Sequence, residues 1–416
     1  MDRRRGLARV SSGIARPLLG VAAVMGLAEL GFATVIPLLP LYLKERLGAS
    51  ATLVGVVVAT FAAVETVFKT VWGSLADRIG RRPVVIGGLL FSSAAPILMA
   101  FLRVPVLFIP LRVIDGTGSA ALWPSAAAAM ADSASDENRA TAMGTLNMFF
   151  LSGLALGPVL GLFVAGTFGD YRVGFYLASA LLLVAAGVAA LVFRDRRPRP
   201  QGTRARVTGG GIGSALRSIW KSPILPAMLA VAFVQMFGVG LLAPILVIYA
   251  HEVVQLSDQV IGAVFLVMVL AVAMASVPGG RLADRIGRSR TVAWGMVLAS
   301  AGMWLLPLAG KGNLAVLAAS AVLLGGSYAV SSPAWLALMS EAAPAGSTGV
   351  VMGASETAQG AGLVIGPVLG GLLYDHAGPR APFLGSALLL TAGTVLAILA
   401  FGRGRAHAQR LRRPTL

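Results

Sequence analysis

Long apolar runs, separated by short polar and mostly basic segments, make up nearly the whole chain. A helix needs ~20 apolar residues to cross the hydrocarbon core of a bilayer. Runs of that length fall at 18–43, 52–75, 83–102, 105–130, 141–165, 172–193, 223–249, 259–280, 291–309, 314–340, 348–372 and 380–401. They are continuous in Ala, Leu, Val and Gly and lack the polar alternation of a barrel strand, so the pattern predicts twelve membrane-spanning helices. The first run follows a basic N-terminal segment and exceeds the short apolar core of a cleaved signal, which predicts an uncleaved first span. One long polar stretch interrupts the series. The expected organisation is a six-helix bundle over 1–193, a basic linker over 194–222, and a second six-helix bundle with a short basic tail over 223–416.

The two halves echo each other. Gly73-Ser-Leu-Ala-Asp77-Arg78-Ile-Gly80-Arg81-Arg82 returns 207 residues later as Gly280-Arg-Leu-Ala-Asp284-Arg285-Ile-Gly287-Arg288. A second pattern, Gly144, Gly153, Gly157, Pro158, Gly161, returns 209 residues later as Gly353, Gly362, Gly366, Pro367, Gly370. The same register pairs Pro37 with Pro244, Tyr42 with Tyr249, Gly55 with Gly262, Gly116 with Gly325 and Pro124 with Pro333. Repeated units of this size in an apolar chain predict a transporter of two related helical halves around a mid-membrane site.

Composition narrows the class further. Charged residues are 12% of the chain, half of the ~25% usual in a soluble domain, against 57% hydrophobic residues. The formal charge of +17 raises the possibility of a nucleic-acid partner. Its placement argues against one: 26 of the 34 basic residues fall in segments that twelve spans put on one side. By the positive-inside rule both termini and the linker are expected in the cytoplasm. There is no cysteine, and His251, His376 and His407 are scattered, so no metal cluster is expected. No phosphate-binding loop of the G-x4-G-K-[ST] type is present, which argues against ATP hydrolysis. Arg outnumbers Lys 30 to 4, as in a GC-rich bacterial genome.

On these motifs the chain resembles the major facilitator superfamily, and its twelve-helix drug–proton antiporter branch in particular. The segment 73–82 and its repeat match that family's signature after spans two and eight. Span five carries the branch's glycine–proline pattern, with Leu162 in place of its last Gly, while span eleven ends in the full Gly370-Gly371. Span one has Ile36-Pro37-Leu-Leu-Pro40, and span four has Arg112-x-x-Asp115-Gly116-x-Gly118, with Asp where the branch usually has Gln. The resemblance implies an all-α integral membrane protein, two pseudo-symmetric six-helix bundles in the major facilitator fold. It also implies that Asp77 docks against the start of span eleven when the molecule opens outward. A gating set follows: Gly73, Asp77, Arg78 and Arg82 with Gly280, Asp284 and Arg285, and Gly157, Pro158, Gly366 and Pro367 as a seal between the halves. From the residues themselves, Gly73 and Gly280 suggest close backbone approaches.

Charges inside a membrane cost about 2.5–3.5 kcal/mol each on insertion scales, so those present call for an explanation. Glu29 has no basic residue in its own span and lies roughly 16 Å in from the cytoplasmic end. Arg112 and Asp115 are three apart on one helix face and can pair. Glu65 and Lys69, at i and i+4, correspond to Val272 and Ser276 in the repeat, so the fold alone does not require them. Glu29, Glu65, Arg112 and Asp115 are the proton-coupling candidates, the resemblance supplying that role for Arg112. Phe32, Trp123, Asn147, Gln235, Tyr328, Trp335, Glu356 and Gln359 are candidates for lining a substrate cavity suited to lipophilic cations. Ordinary helix packing is the alternative for each aromatic residue.

The expected function is proton-coupled export of small amphipathic or drug-like compounds by alternating access. The bacterial inner membrane is the expected location. Partners are the small-molecule substrate, protons and the bilayer, with no nucleic acid, and the chain acts as a monomer. The proton gradient serves in place of a cofactor, and no enzymatic activity is expected. Export of a specific metabolite such as a sugar or amino-acid derivative, or movement of a lipid between leaflets, stays open on the same fold.

Overall fold

A computed structural model describes residues 16–135, 138–193, 219, 220, 222, 224–344 and 347–411. Apart from 219, 220 and 222, the predicted linker therefore lies outside the described residues, as does most of the basic N-terminal segment. Twelve spans long and apolar enough to cross a membrane are present among the described residues, in agreement with the sequence pattern. They are α1 (Arg16–Leu41, continued by a π turn Tyr42–Arg46), α2 (Ala51–Ile79), α3 (Arg81–Phe101), α4 (Phe108–Ser119 and Leu122–Ser133), α5 (Arg139–Phe168) and α6 (Tyr171–Val192). The second set is α7 (Leu225–Leu242 and Ile245–Glu252), α8 (Asp258–Ile286), α9 (Arg288–Leu305), α10 (Leu314–Ala342), α11 (Thr348–Ala377) and α12 (Ala381–Leu411).

Helix ends follow from local chemistry. Gly80 (φ 99°) and Gly287 (φ 89°) end α2 and α8 in a backbone region that side-chain-bearing residues rarely adopt. Each still donates its N–H to the helix, to Ala76 and Ala283 respectively. This explains why Gly recurs at that point of the repeated motif. Arg81 then pairs with Asp132 (2.5 Å), tying α3 to α4, and the related Arg288 pairs with Glu341, tying α9 to α10. Pro244 interrupts α7, whereas the related Pro37 is carried inside an unbroken α1.

The twofold relation is visible in equivalent contacts. In the first bundle a Cβ on Gly116 would press on the carbonyl oxygen of Phe61; in the second, a Cβ on Gly325 would press on that of Met268. Gly157 packs on Ala33 as Gly366 packs on Gly240, and Gly161 lies over the Thr34 carbonyl as Gly370 lies over that of Leu241. Tyr42 Oη donates to the Leu102 carbonyl (3.2 Å), and Tyr249 Oη to the Ala309 carbonyl (2.8 Å). Each pair is related by the sequence offset of 207 or 209. Small residues at these positions let helix backbones touch, which is how helices associate where lipid removes the usual hydrophobic drive.

The bundles meet along α2–α11 and α5–α8, with the end of α1 against the second piece of α7. These meetings favour the end that holds the 47–50 and 253–257 connections, called the distal end; the other is the terminal end. One apolar core at the distal end includes Leu38, Tyr42, Phe108 and Phe175 of the first bundle and Tyr249, Ile261 and Phe383 of the second. Towards the terminal end the large cores are separate. One, with Met25, Leu89 and Leu182, belongs to the first bundle, and the other, with Met228, Met296 and Met339, to the second. A core shared at one end and divided at the other describes two bundles closed distally and splayed at the terminal end.

The glycines report the same geometry. Gly153, Gly157 and Gly161 and their counterparts stand against neighbouring backbone, but Gly144 and Gly353, nearer the terminal end, face open space. Gly73 and Gly280, expected at close backbone approaches, do not occupy them here. A Cβ on Gly73 would only touch Pro124 at 3.7 Å, and Gly280 has free space. Both lie where the bundles diverge. Of the residues expected to seal the two halves, Gly157 and Gly366 pack within their own bundles here, whereas Pro367 reaches the opposite one. Residues four apart share one helical face, and on α5 and α11 that face packs on α1 and α7 of the same bundle. The cross-bundle contact uses other atoms, including the Pro367 carbonyl under Gly55 and Leu162 beside Gly262.

Candidate functional site

Glu29 sits on α1 where a Cβ on Gly153 of α5 would meet its own Cβ at 2.9 Å, so α5 backs it closely. It is partly buried and lies within electrostatic reach of Glu65 and Lys69 on α2. The acid therefore looks across the bundle interior rather than out toward lipid. Glu65 and Lys69 pair at 3.0 Å, as their i, i+4 spacing allows. Glu65 in turn reaches Arg112 and Asp115 on α4 electrostatically. The structure thus brings the four proton-coupling candidates, with Lys69, into one set from three helices.

Arg112 and Asp115 are the buried members of the set, at 7% and 2% exposure. Arg112 Nη1 donates to Asp115 Oδ2 at 2.6 Å, while Arg112 Nε and Asp115 Oδ1 are buried without a hydrogen-bond partner. Most buried polar atoms in proteins are paired, so an acid with one oxygen committed and one open is unusual. Ser92 of α3 fixes the backbone here by donating to the Asp115 carbonyl at 2.9 Å.

Phe61 completes this set, and sequence reasoning did not single it out. Its ring lies 4.1 Å from the Arg112 guanidinium carbon, a cation–π contact, and 6.4 Å from the Phe32 ring. The available signal was spacing: Phe61, Glu65 and Lys69 recur every four residues along one face of α2. Trp123 packs edge-on against Phe150 at 5.1 Å, and both lie against the terminal-end core of the first bundle. Asn147 is exposed on α5.

On the second bundle the candidates are more dispersed. Gln235 is partly buried on α7, and Phe233 and Phe237, two residues to either side in sequence, stack on each other at 5.5 Å. Tyr328 is exposed on α10, and Trp335 packs against the terminal-end core of its bundle. Glu356 is exposed on α11, and Gln359 donates to Ser355 at 3.1 Å within the same helix. At the terminal end, Asp77, Arg78, Asp284 and Arg285 are exposed, and Arg82 donates to the Ala190 carbonyl at 2.9 Å, tying α3 to α6 of its own bundle. His, Asp and Glu form no group suited to a metal among the described residues.

A second polar set, also unforeseen, lies at the distal end between the bundles. His251 Nδ1 is 2.7 Å from Glu45, Tyr171 donates to Glu45 at 2.8 Å, and Asp258 is 3.5 Å from the same hydroxyl. They line a cavity of about 260 Å³ with Arg46, Asp170 and Gln259. On the other side Tyr374 donates to Glu252 at 2.7 Å, and Asp375 reaches the start of α2. These residues stand at span ends, where polar residues follow no helical period that names a partner, and only the docking of two bundles assembles them.

Known proteins resemble the chain along its length. The pattern of the Major Facilitator Superfamily matches residues 21–236 and, a second time, 228–414. The chain is 26% identical to "Multidrug resistance protein 2" of Bacillus subtilis over 376 residues, covering 89% of this chain and 92% of that one. It is 28% identical to "Tetracycline resistance protein, class B" of Escherichia coli over 367 residues, covering 86% and 89%. Among solved structures, a point mutant of the nucleoside transporter NupG superposes with a TM-score of 0.76 over 93% of this chain and 99% of its own, at 11% identity.

Proposed function

The chain belongs to the Major Facilitator Superfamily and is a membrane-embedded transporter; from that premise we propose that it is a proton-coupled antiporter exporting small amphipathic or drug-like compounds. The observation that carries the reading is the buried Arg112–Asp115 pair with its open Asp115 oxygen, linked electrostatically through Glu65 to Glu29. The names of the resistance proteins it resembles support the substrate class. The aromatic residues beside the set, Phe61 and Phe32, suit an apolar or cationic guest.

In the proposed orientation the terminal end faces the cytoplasm of a bacterial cell, so the described state is open inward. The two bundles, 1–193 and 223–416, rock about the charged set as rigid units joined by 194–222, and one chain is the working unit. A proton taken up from outside neutralises Asp115 or Glu29 and frees Arg112 from its partner. Substrate entering from inside favours the deprotonated set, so proton and substrate alternate without any covalent step. The cavity-lining residues Asn147, Gln235, Tyr328, Trp335, Glu356 and Gln359 contact the substrate in this scheme, and Asp77 holds the terminal end when it closes.

Purified protein in liposomes containing a pH-sensitive dye tests the reading against a panel of lipophilic compounds. Compound-dependent proton flux is expected, with a loss of at least about tenfold in Glu29→Gln and Asp115→Asn, the order expected when a required proton carrier is removed. Full flux in both variants removes these residues from coupling, and transport indifferent to the pH gradient makes the protein a facilitator.

A further inference from the structure

At the distal end, α11 delivers an acid to the first turn of a helix in the other bundle. Asp375 accepts hydrogen bonds from the backbone N–H groups of Ala51 (3.1 Å, to Oδ1) and Thr52 (2.8 Å, to Oδ2), and from Thr52 Oγ1 (2.7 Å, to Oδ2). The first N–H groups of a helix have no partner within it. The helix's own cap, Ser50, accepts only from Leu53, and Asp375 takes two of the donors left over. A carboxylate placed there also meets the positive end of the helix dipole.

The approach has a sequence requirement one turn earlier on the same face of α11. A Cβ on Gly371 would overlap the Ala51 carbonyl oxygen, so only glycine lets the two backbones meet. Lys44 lies within electrostatic reach of Asp375 and 5.9 Å from the Tyr374 ring, adding a positive charge from the first bundle. All three donors belong to the first bundle and the acceptor to the second, so these bonds last only while the distal end is shut. The repeat offers no equivalent. Gly166 stands where Asp375 would be expected, and the side chain of Gln259, at the place of Thr52, fills the space over it.

We infer that Asp375 is the latch of the distal gate. It holds the state open at the terminal end by capping α2 from the opposite bundle, and it sets the balance between the two states without touching substrate. Opening the distal end strips α2 of this acceptor, which is already exposed to solvent in the closed state.

The chain has no cysteine, so Arg103→Cys and Lys311→Cys, exposed positions on opposite bundles at the distal end, can carry a nitroxide pair without background. Their distance distribution is read by pulsed dipolar resonance on full-length protein in liposomes, with neither substrate nor pH gradient. Asp375→Ala should raise the ratio of open to closed distal ends by about tenfold, the order expected for losing a charged helix cap. Asp375→Asn, which keeps one acceptor oxygen, should raise it less, and Thr52→Val, which loses only the hydroxyl donor, least. Unchanged distributions in the Asp375 variants overturn the inference. Where Asp375→Ala does not fold, Asp375→Asn and Thr52→Val decide, and parent-like distributions in both overturn it. No transport is measured, so this result stands apart from the fate of the proton-coupling reading.

Discussion

The two seams between the bundles, α2–α11 and α5–α8, are related by the internal repeat yet are built differently. At the first, Gly55 lies on the Pro367 carbonyl and Gly371 on that of Ala51, and Asp375 closes the end. At the second, Gly262, the partner of Gly55, meets Leu162 at a relaxed 3.4 Å. Leu162 is fully buried and occupies the place of Gly371, holding the helices apart. Beyond it lies the 260 Å³ cavity ringed by Glu45, Tyr171, His251 and Asp258. One seam is a backbone-to-backbone clasp and the other a spaced contact with titratable walls. A duplicated fold keeps its symmetry where helices pack inside each bundle, and gives it up where the bundles must part.

That contrast can be broken most sharply by copying one seam onto the other. Gly371→Leu places the residue of α5 at its counterpart on α11, against the backbone of Ala51 and Thr52. Neither backbone can yield cheaply, so the closed distal state should vanish from the Arg103/Lys311 distance distribution. A residual closed population as large as the parent's would mean that the clasp is not tight.

A matched pair of milder changes sharpens the comparison. Gly55→Ala forces a methyl into the Pro367 carbonyl and should destabilise the closed state by about 1–3 kcal/mol, the usual cost of overpacking. Gly262→Ala adds the same methyl where there is room, and should stay within about 0.5 kcal/mol. Populations from the same spin pair measure both, and equal shifts would erase the proposed difference between the seams.

The smallest effect is expected at the polar wall of the looser seam. His251→Ala removes the contact to Glu45, between side chains that are 34% and 22% exposed. Pairs this accessible contribute about 0.2–1 kcal/mol, so the distal end should open by no more than about fivefold. A shift larger than that of Asp375→Ala would move the latch from α11 to this cluster.

Much of this architecture is legible in the chain before any coordinates. Gly153, Gly157 and Gly161 and their repeats foretell tight helix contacts, because a four-residue spacing of small residues has few other uses in an apolar helix. The pairing of Arg112 with Asp115 follows from i, i+3 geometry alone. What the pattern misassigns is the partner: the glycine faces bind within a bundle, since periodicity reports a face but not what lies opposite. Phe61 was readable in principle from its register with Glu65. Asp375, Glu45 and His251 were not, as each stands at a helix end among other polar residues, where spacing does not reveal a partner.

By itself the sequence determined the twelve spans, their grouping into two related halves and the charges buried among them, because hydrophobic length and internal repetition are local properties of a chain. Tertiary structure alone decided which end is shut, which acid caps which helix and how the two seams differ. Those facts depend on how one rigid bundle is seated against the other, and contacts between residues far apart in the chain leave no periodic trace in the order of the amino acids.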